Sequence, residues 1–511
     1  MKRILLSCII FSGFIASAQD ALDPSFGGDG IVTLDFGGND IAYAVLIQPD
    51  GKILAAGQAG IGPALTTDIA IARYNTDGTL DPVWGGDGTV TLDLGVDYSD
   101  FSFALARQPD SKIVVAGCGF FDSGYKFAVL RYRADGSLDP AFSDDGIFIT
   151  DFGGMDDWAR AVYVMPDGKI VASGYRNDGL KHNFAIIRLT PEGDLDPTFG
   201  TGGKVYTVFP VNRHDQSYAL AVQPDGKMIL AGYSYVGTTA DYQFALARYN
   251  EDGSLDDTFG DAGLVLTPVP MIQGESYAME LQPDGKILVS GFSYTDWKTD
   301  IAIIRFNSDG SVDTEFGTDG LVKTDIATDR DDHAYAMYLL ADGRFLVGGN
   351  RWNGYDWDMA LLRYNADGSL DNTFSGNGML TIAIGDDADC IQAIDVQSDG
   401  KIVVAGYSDN GPNNDFALVR FMQDGGSGVG ISNQVITANF SISPNPGYDN
   451  ISINCTLSGI IDIVDMQGHV VERREVVSGD NTIDIHQLPT ANYIIRWRNE
   501  SEQCNLPFIK K

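Results

Sequence analysis

The acidic residues with the most regular spacing in this 511-residue chain are aspartates that stand three residues before an aromatic–alanine-like pair. They are Asp40, Asp100, Asp157, Asp215, Asp332 and Asp389, and Glu275 takes the related place, displaced by one position. If the strand that follows is the innermost strand of a radial array, these carboxylates ring one mouth of its channel. There they would either accept hydrogen bonds from backbone amides of adjacent blades or hold a cation, calcium in particular, or a polar ligand. Their near-regular recurrence favours the structural role.

A second group of candidates is aromatic and lies in irregular loops between predicted strands. The residues assigned to ligand contact are Tyr233, Tyr235, Trp297, Trp352, Tyr355 and Trp357. Antiparallel geometry puts these loops on the same face as the aspartates. Aromatic planes beside Asp and Asn side chains suit a sugar or peptide ligand, through stacking and hydrogen bonds. The alternative is that the rings only pack over the tops of the blades.

Sequence signatures of common catalytic sites are missing. The chain has no Gly-x-Ser-x-Gly elbow, no His-Glu-x-x-His helix and no phosphate loop. The pairs His214-Asp215 and Asp332-His333 occupy matching loops, which is weak support for acid–base chemistry. We therefore expect a binding protein for an extracellular glycan or protein. The alternatives are a carboxylate-dependent polysaccharide hydrolase or lyase and a structural surface protein without a small-molecule ligand.

These residues are carried by a sevenfold repeat of roughly 58 residues. A Pro-Asp-Gly-Lys-like turn recurs at Pro49, Pro109, Pro166, Pro224, Pro283, Ala341 and Ser398. About 24 residues later comes an Arg-Tyr-Asn-x-Asp-Gly-Ser-Leu-Asp-like phrase. Its arginine and last aspartate recur so regularly that we interpret them as structural anchors. Its Asn-x-Asp-Gly-x-x-Asp portion partly imitates a calcium loop but lacks the bidentate Glu, so we interpret it as a turn.

Each unit contains four short strand-like runs bounded by turn residues, and no amphipathic helical segment of useful length. Seven such units indicate an all-β, seven-bladed β-propeller. The last unit lacks its fourth strand, whereas the chain begins with one to spare. We therefore expect Ile31 to Phe36 to supply the outer strand of the seventh blade and close the ring. An open β-solenoid is the alternative, but it would not explain the complementary ends.

Composition and charge limit the compartment and the partners. Residues 1–18 read as a secretory signal peptide, with Lys2 and Arg3 before an apolar stretch and a small-x-small cleavage site. No later apolar run reaches the length of a membrane helix. The formal charge of −36 disfavours nucleic acid and anionic lipid as partners. We expect an exported, monomeric protein.

The repeat phrases resemble those of the delta-60 repeat family of bacterial β-propellers, over about residues 22–424. This resemblance implies a fold and little biochemistry. After it, residues 425–437 form a Gly/Ser-rich linker.

Residues 438–511 resemble the type IX secretion C-terminal sorting domain of Bacteroidetes. The matching positions are Pro444, Asn445, Pro446, Gly468 and Tyr493, whereas Asn492 stands where that family often has Gly. The resemblance implies a small β-sandwich, the type IX secretion machinery as a partner, and release outside the cell or attachment to its surface. Cys455 and Cys504 lie near the two ends of this domain, and the sequence leaves open whether they pair.

Overall fold

The computed structural model describes residues 21–425 apart from 62–65, 96–97, 122–123, 211–213, 237–240, 268–272, 296–297, 327–329 and 386, and residues 440–443, 450–455, 458–464, 470–489, 491–498 and 503–510. The chain divides into two compact units, Met1–Gly426 and Ser427–Lys511. Regular structure in the described residues consists of β-strands, without an α-helix. Accordingly, these residues contain no helix of the length and apolarity needed to cross a membrane.

The first unit is a ring of seven four-stranded antiparallel sheets. The strands of the first six blades, from innermost to outermost, are Ile41–Ile47, Ile53–Gly60, Thr67–Tyr74 and Thr89–Leu92; Phe101–Arg107, Ile113–Phe121, Gly124–Tyr132 and Ile147–Thr150; Asp156–Val164, Ile170–Asn177, His182–Leu189 and Lys204–Thr207; His214–Val222, Met228–Val236, Asp241–Tyr249 and Leu264–Leu266; Gly274–Leu281, Ile287–Thr295, Lys298–Phe306 and Leu321–Thr324; and Asp332–Leu339, Phe345–Trp352, Trp357–Tyr364 and Met379–Ile382.

The seventh blade combines the two ends of this unit. Its inner strands are Asp389–Val396, Ile402–Asp409 and Asn414–Phe421, and its outer strand is Ile31–Leu34. Ile31 lies opposite Val419 in antiparallel register. The predicted ring closure by the N-terminal strand is therefore confirmed, and so is the seven-bladed, all-β propeller.

The apolar core lies between neighbouring blades. One buried cluster joins Ile53 and Ala72 of the first blade to Val403 and Leu418 of the seventh blade and to Phe26, which precedes the seventh blade's outer strand. Each blade buries a face against the next, so no blade has a core of its own.

A buried arginine–aspartate pair, called the latch here, secures each blade to the next. In every latch the arginine Nε donates to an aspartate Oδ2 over 2.6–2.8 Å, and a guanidinium NH1 donates to a backbone carbonyl of the following blade. The guanidinium also stacks over an aromatic ring. The pairs are Arg73–Asp81, Arg131–Asp139, Arg188–Asp196, Arg248–Asp256, Arg305–Asp313, Arg363–Asp371 and Arg420–Asp23.

The repeated Lys of the Pro-Asp-Gly-Lys turn belongs to the same latch. Lys52 Nζ lies 2.9 Å from Asp81 Oδ2, and Arg344 takes the equivalent place beside Asp371. At the closure, Lys401 and Arg420 of the seventh blade both bind Asp23 from the N-terminal segment. The structural interpretation of the recurring Arg and Asp is thus confirmed, with Asp23 as the seventh carboxylate.

The regularly spaced aspartates lie in the seams between blades. All six side chains are buried, with at most 1% exposure. Asp40 accepts hydrogen bonds from the backbone amides of Phe36 and Gly60, at 2.6 and 2.8 Å. Asp157 likewise accepts one from Phe152 at 2.7 Å. In these contacts the carboxylates join the end of one blade's outer strand to the start of the next blade.

The second unit contains two antiparallel sheets in its described residues. One holds Phe440–Ser443, Asn450–Cys455 and Gly479–Asp484, and the other holds Val470–Val476, Gly459–Val464, Ala491–Arg498 and Gln503–Lys510. Ile453 of the first sheet and Ile461 and Ile495 of the second belong to one buried cluster. The two sheets therefore share a core, and the β-sandwich implied for this domain stays a prediction.

Asp23→Asn should weaken the closure of the ring, because it leaves Arg420 and Lys401 without their carboxylate in a buried position. Loss of one partner of a buried pair costs about 3 kcal/mol. The apparent free energy of unfolding, measured in urea, should fall by that order. Asp29→Asn, in the exposed turn before the closing strand Ile31–Leu34, is the matched control and should change the free energy of unfolding little. An Asp23→Asn protein as stable as the wild type would contradict closure by this latch.

The seam aspartates predict a dependence of stability on pH. Burial raises the pKa of Asp157 from 3.8 to about 6. Since the folded pKa is raised, this residue's stabilising contribution is complete below the unfolded pKa and is lost as pH rises through about 6. Replacing Asp157 with Asn keeps an oxygen for the Phe152 amide and removes the charge. The wild-type melting temperature should therefore fall more between pH 5 and pH 8 than that of Asp157→Asn, and equal falls would contradict the prediction.

Candidate functional site

The first strand of every blade is the innermost, and neighbouring first strands contact each other around the ring. Each contains a β-bulge at the same place, where the pairing register with the second strand shifts. The bulge residues, called the bulge ring, are Tyr43, Phe103, Arg160, Tyr218, Tyr277, Tyr335 and Gln392. Bulges re-aim side chains and are common beside functional sites.

A repeated glycine on the second strand makes room for each bulge. A Cβ placed on Gly57 would lie 1.8 Å from the carbonyl oxygen of Ile41, and one on Gly232 would lie 1.9 Å from that of Gln216. The same close approach occurs at Gly117, Gly174, Gly291, Gly349 and Gly406. Only glycine tolerates this approach, which explains why the second strand of every blade has a glycine at this position.

Bulge-ring side chains of consecutive blades contact each other. The ring centroids of Tyr43 and Phe103 are 5.0 Å apart, and the Arg160 guanidinium lies 3.9 Å from the Phe103 centroid. It also lies 5.1 Å from the Tyr218 centroid. Tyr277 contacts both Tyr218 and the next tyrosine, Tyr335. Six consecutive blades thus contribute to one mainly aromatic belt with a cation in it.

The residues two places before the bulge differ from blade to blade. This variable ring consists of Ile41, Phe101, Trp158, Gln216, Glu275, His333 and Cys390. Glu275 accepts hydrogen bonds from Tyr277 at 2.5 Å and Tyr294 at 2.7 Å. Gln216 accepts them from the hydroxyls of Tyr218 and Tyr233, at 2.8 and 2.9 Å. Where blades differ, polar side chains are therefore held among aromatic rings.

A continuous chain of ring contacts, the aromatic arc, runs across blades two to six on this face. Successive ring centroids are 4.0–6.3 Å apart. In order, the members are Tyr98, Phe120, Tyr125, Trp158, Tyr175, His182, His214, Tyr235, Tyr242, Tyr294, Phe292, His333, Trp357 and Trp352. The arc reaches solvent at Tyr98, which is 50% exposed, and Tyr294, which is 38% exposed.

His333 adds no positive charge at the sixth-blade end of the aromatic arc. Burial lowers the pKa of His333 to about 4, so that side chain is neutral at pH 7. Its Nε2 lies 2.9 Å from Thr299 Oγ1, and its ring stacks with Trp357 at 4.8 Å. Its surroundings are those of a packed aromatic residue.

The structure brings four predicted aromatic residues to this face. Tyr235, Trp352 and Trp357 belong to the arc, and Tyr233 packs beneath it against Tyr218. Trp352 and Trp357 lie opposite each other at the tip of one hairpin. Tyr355 is 92% exposed in the turn between them. Trp297 lies outside the described residues.

The predicted ring of carboxylates around an open mouth is wrong for Asp40, Asp100, Asp157, Asp215, Asp332 and Asp389. These residues are buried in the seams, where the Oδ2 atom of each accepts a hydrogen bond from a backbone amide. Glu275 is not their equivalent, because its displacement by one place turns it to the other side of the strand. The seam position of its blade is Gly274.

The calcium-loop imitation is a turn, as interpreted from the sequence. In the first unit, Asp77 Oδ1 accepts hydrogen bonds from the amide and hydroxyl of Thr79, at 3.0 and 2.7 Å. Asn75 binds Thr79 and the carbonyl of Leu80 through its side-chain amide.

Sequence reasoning missed the bulge ring and several members of the arc, including Trp158, His182 and Tyr242. The available signal was the recurring aromatic–alanine-like pair itself. Its first member is the bulge residue, and the residue two places earlier belongs to the variable ring.

Of the predicted sorting-domain positions, Tyr493 is buried, and its hydroxyl donates to the Pro489 carbonyl at 2.9 Å. Pro444, Asn445, Pro446 and Gly468 lie outside the described residues. Cys455 and Cys504 belong to strands of different sheets, and their side chains also lie outside the description.

Several solved structures match this chain at low sequence identity. PorZ, an essential bacterial surface component of the type IX secretion system of Porphyromonas gingivalis, is 13% identical with a TM-score of 0.42, covering 94% of this chain and 60% of its own. The polysaccharide lyase Uly1 is 11% identical with a TM-score of 0.44, covering 75% and 90%. An α-L-arabinanase of Penicillium chrysogenum, in complex with arabinobiose, is 9% identical with a TM-score of 0.39, covering 62% and 91%. At these values the likeness concerns general architecture alone.

No curated protein sequence matches the chain. Two family models do. The domain of unknown function DUF5122 β-propeller matches residues 48–82, 108–142, 166–199, 223–259, 282–316, 340–374 and 397–425. The secretion system C-terminal sorting domain matches residues 441–511 and indicates export by the type IX system. With seven repeats in a closed ring and this C-terminal domain, the chain belongs to the DUF5122 β-propeller family and carries a type IX sorting domain.

Proposed function

We propose that this exported propeller binds an extracellular polysaccharide along the aromatic arc. The observation that carries the proposal is the continuity of the arc across five blades on one face. The secretion machinery is its first partner, and the propeller acts outside the cell, either released or held at the cell surface. The sorting domain supports this route.

The shape and chemistry of the arc favour a polymer of sugars. Aromatic rings present apolar faces on which sugar rings stack. The polar side chains between the aromatic rings can accept hydrogen bonds from sugar hydroxyls or donate hydrogen bonds to them. Gln216 and Glu275 are such groups, each fixed by two tyrosine hydroxyls. A row of rings spanning several blades offers repeated contacts to an extended chain. A small molecule would use only part of it.

The charge of the protein restricts the class of polysaccharide that it can bind. The formal net charge of −36 repels polyanions at low ionic strength. The single guanidinium of the bulge ring, Arg160, is covered by aromatic rings at 3.9–5.8 Å. These features favour a neutral polysaccharide over an acidic one.

The carboxylate-dependent hydrolase or lyase is less well supported. Asp332, the carboxylate considered for it, is fully buried and accepts a hydrogen bond from the Ile326 amide at 2.7 Å. Hydrolysis of a glycosidic bond ordinarily needs two carboxyl groups across the bond. Of the residues in the bulge ring and the variable ring, all within the described part of the chain, Glu275 is the one carboxylate. This arrangement favours binding.

Affinity electrophoresis against a panel of neutral polysaccharides tests the proposal. At least one polymer should retard the wild-type protein. The double variant Trp352→Ala, Trp357→Ala removes the sixth-blade end of the arc and should raise the dissociation constant at least about tenfold, equivalent to ~1.4 kcal/mol. Tyr206→Ala removes a 50% exposed tyrosine from the outer strand of the third blade and is the matched control.

The melting temperatures of both variants should be measured beside the binding. Retardation lost in the double variant, kept in Tyr206→Ala and accompanied by an intact fold supports the proposal. Equal retardation of the double variant would contradict it. So would the absence of any retained polysaccharide, which would favour a protein ligand or a passive structural role.

A further inference from the structure

Three equivalent positions recur at the seams between blades. The first is the seam position, which is a buried aspartate at six seams and Gly274 at the other. The second follows the outer strand of a blade, and the third lies in the third strand of that same blade. At the seam between blades two and three, the second and third positions are Asp151 and Lys126. Their Nζ and Oδ2 atoms are 3.6 Å apart. At this seam the ammonium group of Lys126 is the cation beside the Asp151 carboxylate.

The seam that closes the ring has a carboxylate where that lysine stands. Asp415 precedes Phe416, which pairs with Leu34 of the outer strand, just as Lys126 precedes Phe127, which pairs with Thr150. Asp35 follows Leu34 as Asp151 follows Thr150. The closing seam thus combines Asp35, Asp40 and Asp415, and one carboxylate oxygen of each lies within 4.8 Å of the others.

One buried oxygen of this cluster has no hydrogen-bond partner. Asp415 is 8% exposed, and its Oδ2 accepts a hydrogen bond from Asn410 Nδ2 at 2.6 Å, whereas its Oδ1 accepts none. A buried carboxylate oxygen without a partner is costly unless a cation or proton satisfies it. Three carboxylates therefore meet at the closing seam with one buried oxygen left without a partner.

We propose that Asp35, Asp40 and Asp415 bind one calcium ion, which bridges the N-terminal strand, the first blade and the seventh blade. This inference rests on the closure of the ring and is independent of the proposed polysaccharide site. Carboxylate oxygens in an irregular arrangement suit Ca²⁺, which accepts flexible geometry, better than Mg²⁺, which demands a near-ideal octahedron. Asp35 is exposed and gives the ion a path from solvent.

The seam between blades two and three shows why a cation at this place would stabilise the ring. Lys126 neutralises Asp151 there without an external ion, whereas three carboxylates repel each other at the closure. Similar triads occur at Asp68, Asp93 and Asp100 and at Asp300, Asp325 and Asp332. Asp332 Oδ1 is also buried without a hydrogen-bond partner. The closing seam is the strongest candidate, because its three carboxylates come from the two ends of the propeller.

The test uses the full mature chain, stripped with a chelator and then titrated with CaCl₂ in about 0.15 M NaCl, at which general charge screening is already present. Calcium bound per chain is counted by equilibrium dialysis, and the melting temperature is followed in parallel. Calcium should raise the wild-type melting temperature by about 2–4 °C. Asp415→Asn should bind one ion fewer per chain and lose most of that rise.

Two further variants keep the test decisive. Asp151→Asn, in the seam with its own lysine, should keep the wild-type stoichiometry and response. Asp415→Lys places an ammonium where Lys126 stands in its seam, so its melting temperature in chelator should be at least that of the chelated wild type, with one calcium fewer bound. Unchanged stoichiometry in Asp415→Asn, or no calcium bound by the wild type, would overturn the proposal. An equal response to calcium in Asp151→Asn and Asp415→Asn, both lowered, would also overturn it.

Discussion

Each blade of this propeller is held to the next by a guanidinium that does three things at once. It pairs with a buried carboxylate, donates to a carbonyl of the following blade and stacks on an aromatic ring. A charge buried in this way requires all of its partners, because removing one leaves the others uncompensated. The requirement explains why an Arg, an Asp, an aromatic residue and a second cation, Lys or Arg, recur in every unit. It also explains why the seventh blade needs Asp23 and Phe26 from the other end of the propeller.

Because the latches and the seam aspartates carry the architecture, other positions are free to differ between blades. The repeated glycine of the second strand connects the constant scaffold to the variable positions, because it allows a bulge in every innermost strand. The bulge is constant, but the side chain that it displays is not. Tyrosine, phenylalanine, arginine and glutamine follow one another around the ring. A regular scaffold therefore presents an irregular surface, and the aromatic arc is built on that irregularity.

The sequence predicts the fold almost completely, because a repeat reports the same structural information seven times. It also places Tyr235, Trp352 and Trp357 on the correct face, since antiparallel hairpins alternate between two ends of a blade. The burial of individual side chains was harder to predict from the sequence. The buried position of Asp40 depends on amides distant in the chain, such as that of Gly60. The bulge depends on a register shift that residue spacing alone does not show. For the same reason, spacing alone places Glu275 with the seam aspartates, although it faces the other side of its strand.

Recurrent residues hold the ring, and we propose that the variable aromatic face binds the ligand. Hydroxyl-radical footprinting with and without a saturating neutral polysaccharide tests this most directly, because it reports side-chain protection on both faces of one unmodified protein. With the polysaccharide bound, we expect reduced oxidation of Tyr294, Trp352 and Trp357. Oxidation of Met422, which follows the third strand of the seventh blade on the opposite face, should be unchanged. Protection of Met422 with no change at the arc would contradict it.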